Sequence, residues 1–127
     1  MTLADLLDGP AVQVEPHEPL ARAAQRMYDA NVTAVVVLHE GGEIAGIFTE
    51  RDLLRACAAG VDTHAATVAR WMTADPVTAT ASDDAGSALA TMIERNFRHL
   101  PVVGDGGVLG IVSMRALSTH LQRAAAD

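Results

Sequence analysis

The chain has 127 residues, 50% of them hydrophobic and 20% charged, a size and composition that suit one compact domain and exclude disorder. At this length about two-thirds of the unfolded surface is buried on folding, so a core needs neither disulfides nor a structural metal. A formal net charge of −7 opposes polyphosphate backbones and anionic lipid, and aromatics at 3% leave few stacking platforms for bases. All 9 basic residues are arginine, which excludes Schiff-base and P-loop lysines.

The amino terminus, Met1-Thr2-Leu3-Ala4-Asp5, carries acid where a signal peptide needs base, and no apolar run approaches the ~20 residues of a membrane span. The single Cys57 has no bridging partner and suits a reducing compartment. The expectation is a cytoplasmic protein with neither membrane nor nucleic acid as partner. Val12 to Glu15 reads as a short extended piece. From Pro19 a helical pattern follows, with Leu20, Ala23, Ala24, Met27 and Tyr28 on one face and proline tolerated in the first turn. Val32 to Leu38 is a β-branched run that predicts a buried strand, the Gly-rich turn at 39–43 predicts a hairpin, and Ile44 to Phe48 is the return strand. Glu50 to Ala58 is a second helix.

The pattern then repeats. Val12 matches Val77, Met27 matches Met92 and Asn31 matches Asn96, each 65 residues apart, and past the Gly-rich turns the offset becomes 64. In the second copy Val77 to Ala81 is extended, and Ser82 reads as the N-cap of a helix with Asp83 and Asp84 in its first turn. Ala88, Leu89, Met92 and Ile93 mark that helix's buried face. Leu100 to Val103 is a strand that holds Pro101 near a start or edge, Val108 to Val112 is its return, and Met114 to Arg123 is the last helix. The fold class is α+β: two pseudo-symmetric β-α-β-β-α units, residues 1–64 and 65–127, each too small to stand comfortably alone and expected to pack as one domain. Trp71 is expected to pack between repeats or between chains, and Met27, Met72, Met92 and Met114 to lie in the core.

Gly46-Ile47-Phe48-Thr49-Glu50-Arg51-Asp52-Leu53 resembles the G-h-h-T-x-x-D signature (h, apolar) of cystathionine β-synthase (CBS) domains, and Arg98-His99-Leu100-Pro101-Val102-Val103 resembles their strand signature. Trp71-Met72-Thr73 with Pro76-Val77-Thr78 resembles the segment that opens a repeat, a place taken in the first copy by Leu6-Leu7-Asp8. The resemblance spans essentially the whole chain. It implies a tandem CBS pair: a regulatory module, not an enzyme, of the kind that senses adenine nucleotides or S-adenosylmethionine in larger proteins. It also implies a homodimer and an effector in another protein, whose identity the sequence does not give.

A threonine that ends a strand and opens a helix offers its hydroxyl and the first helix N–H groups to phosphate, as Thr49 does. A carboxylate one turn on, Asp52, suits the two hydroxyls of a ribose. The same pair also fits a helix capping box that needs no ligand. In the second copy Ser113 keeps the hydroxyl, but Ala116 stands where the carboxylate belongs, so that site is expected to be weak or empty. By resemblance, Arg98, His99 and Arg115 take the phosphate, with Arg51 nearby, and Val12, Val14, Ala34 and Val36 line an adenine slot. The expected ligand is AMP, ADP or ATP, serving energy sensing through closure of the repeats onto a partner-facing surface. The alternatives are S-adenosylmethionine, for which convergent arginines are wasted, or a dimerising, stress-associated scaffold with a vestigial site. No catalytic set stands out, and the five histidines show no metal-ligand spacing.

Overall fold

A computed structural model describes residues 1–7 and 10–126; Asp8 of the opening segment lies outside them. The chain forms two compact units, Ala11–Pro76 and Met1–Pro10 with Val77–Asp127. The first contains β1 (Gln13–Val14), α1 (Leu20–Ala30), β2 (Ala34–Leu38), β3 (Ile44–Thr49), α2 (Glu50–Ala58), a single turn α3 (Val68–Trp71) and β4 (Thr73–Ala74). Its sheet runs β1-β2-β3-β4, with β1 parallel to β2 and the other pairs antiparallel. The second holds a 3-10 turn (Leu3–Leu6), β5 (Ala79–Thr80), α4 (Ala85–Arg95), β6 (His99–Gly104), β7 (Gly107–Ser113) and α5 (Met114–Ala126), with strand order β5-β6-β7.

The two units do not follow the linear division at residue 64. Residues 65–76 lie in the first unit and residues 1–10 in the second, so each opening segment serves the other copy. The exchange is reciprocal to the residue. Pro19 bridges Thr67 in the first unit as Thr2 bridges Asp84 in the second. The Leu20 N–H donates to the Ala66 carbonyl at 2.9 Å as the Ala85 N–H does to Met1 at 3.0 Å, and the Val68 N–H donates to Glu18 as the Leu3 N–H does to Asp83, both at 2.9 Å. Apolar side chains hold the exchanged pieces: Val68 and Leu3 are fully buried, each in the core of the unit it joins.

Both long helices on the pattern of α1 end at an asparagine in the left-handed region, Asn31 at φ 55 and Asn96 at φ 60, a conformation asparagine tolerates better than most residues. The Val32 N–H then returns to the Met27 carbonyl at 3.0 Å. Val32 therefore closes the helix and β2 starts at Ala34, two residues later than the β-branched run predicts. The buried stripe of α1 is Leu20, Ala23 and Met27, and Tyr28 is 84% exposed; on α4, Ala88 and Met92 are buried while its counterpart Ile93 is 64% exposed. Both were expected on the buried face. A helix lying on a small sheet covers only a narrow stripe, and residues one position past it turn by about 100° towards solvent.

The N-cap of α4 is Asp84, which accepts the Ser87 N–H at 3.0 Å, and not Ser82. Ser82 sits in a turn closed instead by Asp83, whose carboxylate takes the Thr80 N–H and hydroxyl, both at 2.9 Å. Pro101 is in β6 opposite Ile111, and the β5 ladder joins β6 from Val102 onward, so the residue without an N–H stands ahead of the β5 pairing. Gly46 of β3 is required sterically: an added Cβ would lie 2.5 Å from the Thr73 carbonyl oxygen of β4.

Candidate functional site

The last residue of β3, Thr49, is also the N-cap of α2. Its extended backbone turns the hydroxyl over the first helical turn, where Oγ1 accepts the Asp52 N–H at 3.3 Å. Asp52 Oδ2 reaches back to the Thr49 N–H at 3.0 Å and to the Thr49 hydroxyl at 3.2 Å. The capping box is therefore complete. The Glu50 N–H donates to the Thr33 carbonyl at 3.0 Å. Two of the first three N–H groups of α2 are thus engaged within the protein, which narrows the anion-binding role that a bare strand-to-helix turn suggests.

Asp52 is 5% exposed, the sole buried charged residue among the described ones. Its second oxygen, Oδ1, accepts from Arg55 at 2.9 Å, one turn along the helix. The Arg55 guanidinium lies 5.7 Å from the centre of the Trp71 ring, which packs against the first unit's own core. Sequence reasoning missed Arg55. The signal was the i, i+3 spacing of an acid and a base on one helix, but nothing local showed that α3 would bring Trp71 beneath it. A carboxylate has about four acceptor sites, and Asp52 uses three. Trp71 also walls a groove of about 400 Å³ together with Val61, Ala66, Thr67 and Arg70, apart from the Thr49 turn.

The second unit repeats the scaffold without the acid. Ser113 ends β7, its Oγ accepts the Ala116 N–H at 3.0 Å, and the Met114 N–H donates to the Arg98 carbonyl at 2.8 Å. Nothing at Ala116 can answer the cap. His99 is half-buried in β6, paired with Ser113, while Arg98, Arg115 and, on α2, Arg51 are exposed. The proposed adenine-slot residues do not share a face. Val12 and Val14 pack with Val35 and Val37 in the helix-covered core, whereas Ala34 and Val36 alternate to the opposite side of β2. Gln13, in register with Val36, takes the place on that side which Val14 was expected to hold.

The family model for the CBS domain matches the chain twice, at residues 3–59 and 68–123. The chain belongs to the CBS domain family. Its CBS repeats are 36% identical over 125 residues to the meiotically up-regulated gene 70 protein of Schizosaccharomyces pombe, covering 97% of this chain and 17% of that one. An uncharacterized 17.7 kDa protein of Acidianus ambivalens is 37% identical over 110 residues, 85% of this chain and 65% of that one. The chain thus spans from about a sixth to about two-thirds of these relatives. Among solved structures, a CBS-domain protein of Agrobacterium tumefaciens matches with a TM-score of 0.86 at 31% identity, over 94% of this chain and 98% of that one. A CBS domain protein of Pyrobaculum aerophilum complexed with AMP matches at 0.87 and 25% identity, over the whole of both chains. The CBS domain pair of protein MJ0100, in complex with 5′-methylthioadenosine and S-adenosyl-L-methionine, shares the fold at 0.89 and 24% identity, over 98% of both chains. The α+β architecture of these tandem CBS pairs is the one described above. Among the described residues, no helix is long and apolar enough to cross a membrane.

Proposed function

We propose that this CBS pair is a regulatory module that binds one adenine nucleotide per chain at a site built on Thr49 and Asp52, and signals to a partner protein without catalysing a reaction. The observation that carries the proposal is the asymmetry of the two helix starts. A buried carboxylate with one acceptor site to spare stands at Asp52, where a ribose diol would bond, and Ala116 leaves the second start without one. Arg51, Arg98, Arg115 and His99 supply the phosphate contacts in this reading, and guanidinium geometry suits phosphate. Ala34 and Val36 supply the apolar wall for adenine in this reading, and Val12 and Val14, on the helix-covered face, take no part in it. This reading takes AMP, ADP or ATP as the ligand, with the AMP complex of the Pyrobaculum aerophilum relative in support of AMP, and a homodimer in the cytoplasm as the assembly.

One observation favours a second reading. Asp52 is already bonded by Thr49 and Arg55, so the motif also serves as a complete helix cap in a scaffold with a vestigial site. Calorimetric titration of protein stripped of carried-over ligand, with AMP, ADP, ATP and S-adenosylmethionine, separates the two. The sensor reading expects one nucleotide per chain, weakened about ten- to a hundredfold by Asp52→Asn, the cost of one charge-assisted hydrogen bond. Ala116→Asp is expected to add a second binding event. No heat with any of the four ligands, from a protein that melts cooperatively, would leave the scaffold reading.

A further inference from the structure

The second unit carries a groove of about 340 Å³ between β5 and the first turns of α4, with Val77, Ala79 and Leu100 among its apolar lining and Asp83, Ser87 and Thr91 among its polar lining. The internal repeat shows what belongs in such a place. With the offset of 65, α4 superposes on α1 and β5 on β1, both in length of helix and in strand register: Val14 pairs Val37 as Ala79 pairs Val102. Every lining residue of the groove then has a counterpart in the first unit, and there an arginine side chain reaches across the corresponding residues. Arg26, the counterpart of Thr91, lies along the sheet edge. Its guanidinium donates to the Gln13 carbonyl and to Glu18 Oε1, the latter at 3.4 Å. Arg22, the counterpart of Ser87, adds a second contact to Glu18 at 3.8 Å.

The acceptors persist in the second unit while both arginines are gone. Asp83 replaces Glu18 and closes the same turn: the Thr80 N–H meets Asp83 Oδ2 at 2.9 Å as the Glu15 N–H meets Glu18 Oε2 at 2.7 Å. Thr78 stands at the register position of Gln13 on the open edge of the sheet. Thr91 does not refill the space, because its hydroxyl turns back to the Ser87 carbonyl at 3.1 Å. From this correspondence we infer that the β5–α4 groove is a binding site for the guanidinium side chain of an arginine supplied from outside the chain, with Asp83 and the Thr78 carbonyl as its acceptors. The apolar floor accommodates the aliphatic stem, as arginine stems commonly lie along apolar surface. A net charge of −7 favours the approach of a cation. The hydrogen bonds from Thr80 hold the Asp83 carboxyl below the ordinary aspartate range, so it is ionised at neutral pH. The inference is independent of any nucleotide bound at Thr49.

Titration of the full chain with Nα-acetyl-arginine amide, followed by amide chemical shifts, tests it. Saturable shifts at Thr78, Asp83 and Ser87 with a Kd of about millimolar, a scale set by the few atoms of a single side chain, are expected; the isosteric acetyl-citrulline amide should give none. Asp83→Asn should weaken binding about tenfold or more. Because Asp83 also closes a turn, Thr91→Arg provides a second variant that keeps the fold: it supplies the missing side chain internally and should abolish binding while raising the melting temperature. Arg26→Thr should open a second, equivalent site reported by shifts at Gln13 and Glu18. Tighter binding of the capped amide than of free arginine identifies a protein segment as the source, and the reverse identifies a small molecule. Absence of shifts at these residues in the wild type, equal shifts with the citrulline amide, or undiminished binding by Thr91→Arg would overturn the inference.

Discussion

At the start of α2, Thr49 and Asp52 bond each other in both directions and Arg55 secures the acid from the far side; at the start of α5, Ser113 caps Ala116 and receives nothing in return. The backbone is the same in both places, down to the N–H that each helix donates to the carbonyl ahead of its central strand. Repetition has kept the turn and let the side-chain chemistry diverge. One carboxylate separates a helix start capped in both directions from one capped in a single direction, and the buried acid is held by a neighbour, Arg55, that the second start does without.

Removing that acid should give the largest effect. Asp52→Ala strips the reciprocal cap and leaves the Thr49 N–H and the Arg55 guanidinium without their acceptor, so a loss of about 2–3 kcal/mol in urea-unfolding stability is expected. The converse change, Ala116→Asp, should stabilise by about 0.5–1 kcal/mol by completing the second box; a loss instead would mean that the second turn has drifted too far to accept one. Next come the hydroxyls. Thr49→Ala is expected to cost about 1–2 kcal/mol and Ser113→Ala about 0.5–1, since only the first belongs to a reciprocal pair. Equal losses would erase the distinction between the two starts. Arg55→Ala should cost less than 1 kcal/mol, because the arginine side chain is 58% exposed and screened by solvent. Its signature is optical: Trp71, the single tryptophan, should change its emission when the cation leaves its face, and unchanged emission would remove Arg55 from the support of Asp52. The smallest effect is on pH. Asp83 has its carboxyl lowered by the Thr80 hydrogen bonds, so its contribution is present above the ordinary aspartate pKa of about 4 and fades as pH falls through the lower folded value. Asp83→Asn should flatten the acid limb of stability below about pH 4 and leave the neutral region's slope unchanged; an unaltered acid limb would rule that contribution out.

Much of this was legible in the sequence. The offset of 65, the helix at Glu50–Ala58, both hairpins and the Thr49–Asp52 pair follow from period, turn chemistry and spacing, all of which are local. What escaped is set by tertiary placement. Tyr28 and Ile93 fit an apolar stripe as well as Met27 and Met92 do, and only the width of the sheet beneath decides that they stay outside. Val12, Val14, Ala34 and Val36 read as the lining of one slot, although alternation along the strand and the parallel register put Gln13, not Val14, beside Val36. The spacing of Asp52 and Arg55 was local and legible, but the contact of Arg55 with Trp71 was not, because Trp71 comes from a segment that linear reading gave to the other repeat.

That exchange of opening segments also bears on the order of events during synthesis. Leu3 and Leu6, both buried, complete a core otherwise made from residues beyond Val77, so they leave the ribosome well before the segment against which they pack. All residues of the first unit have emerged once Pro76 is out, whereas the second can close only when α5 is free to meet Leu3 and Leu6. Deletion of residues 1–6 should therefore injure the second unit more than the first, which follows those residues in the chain.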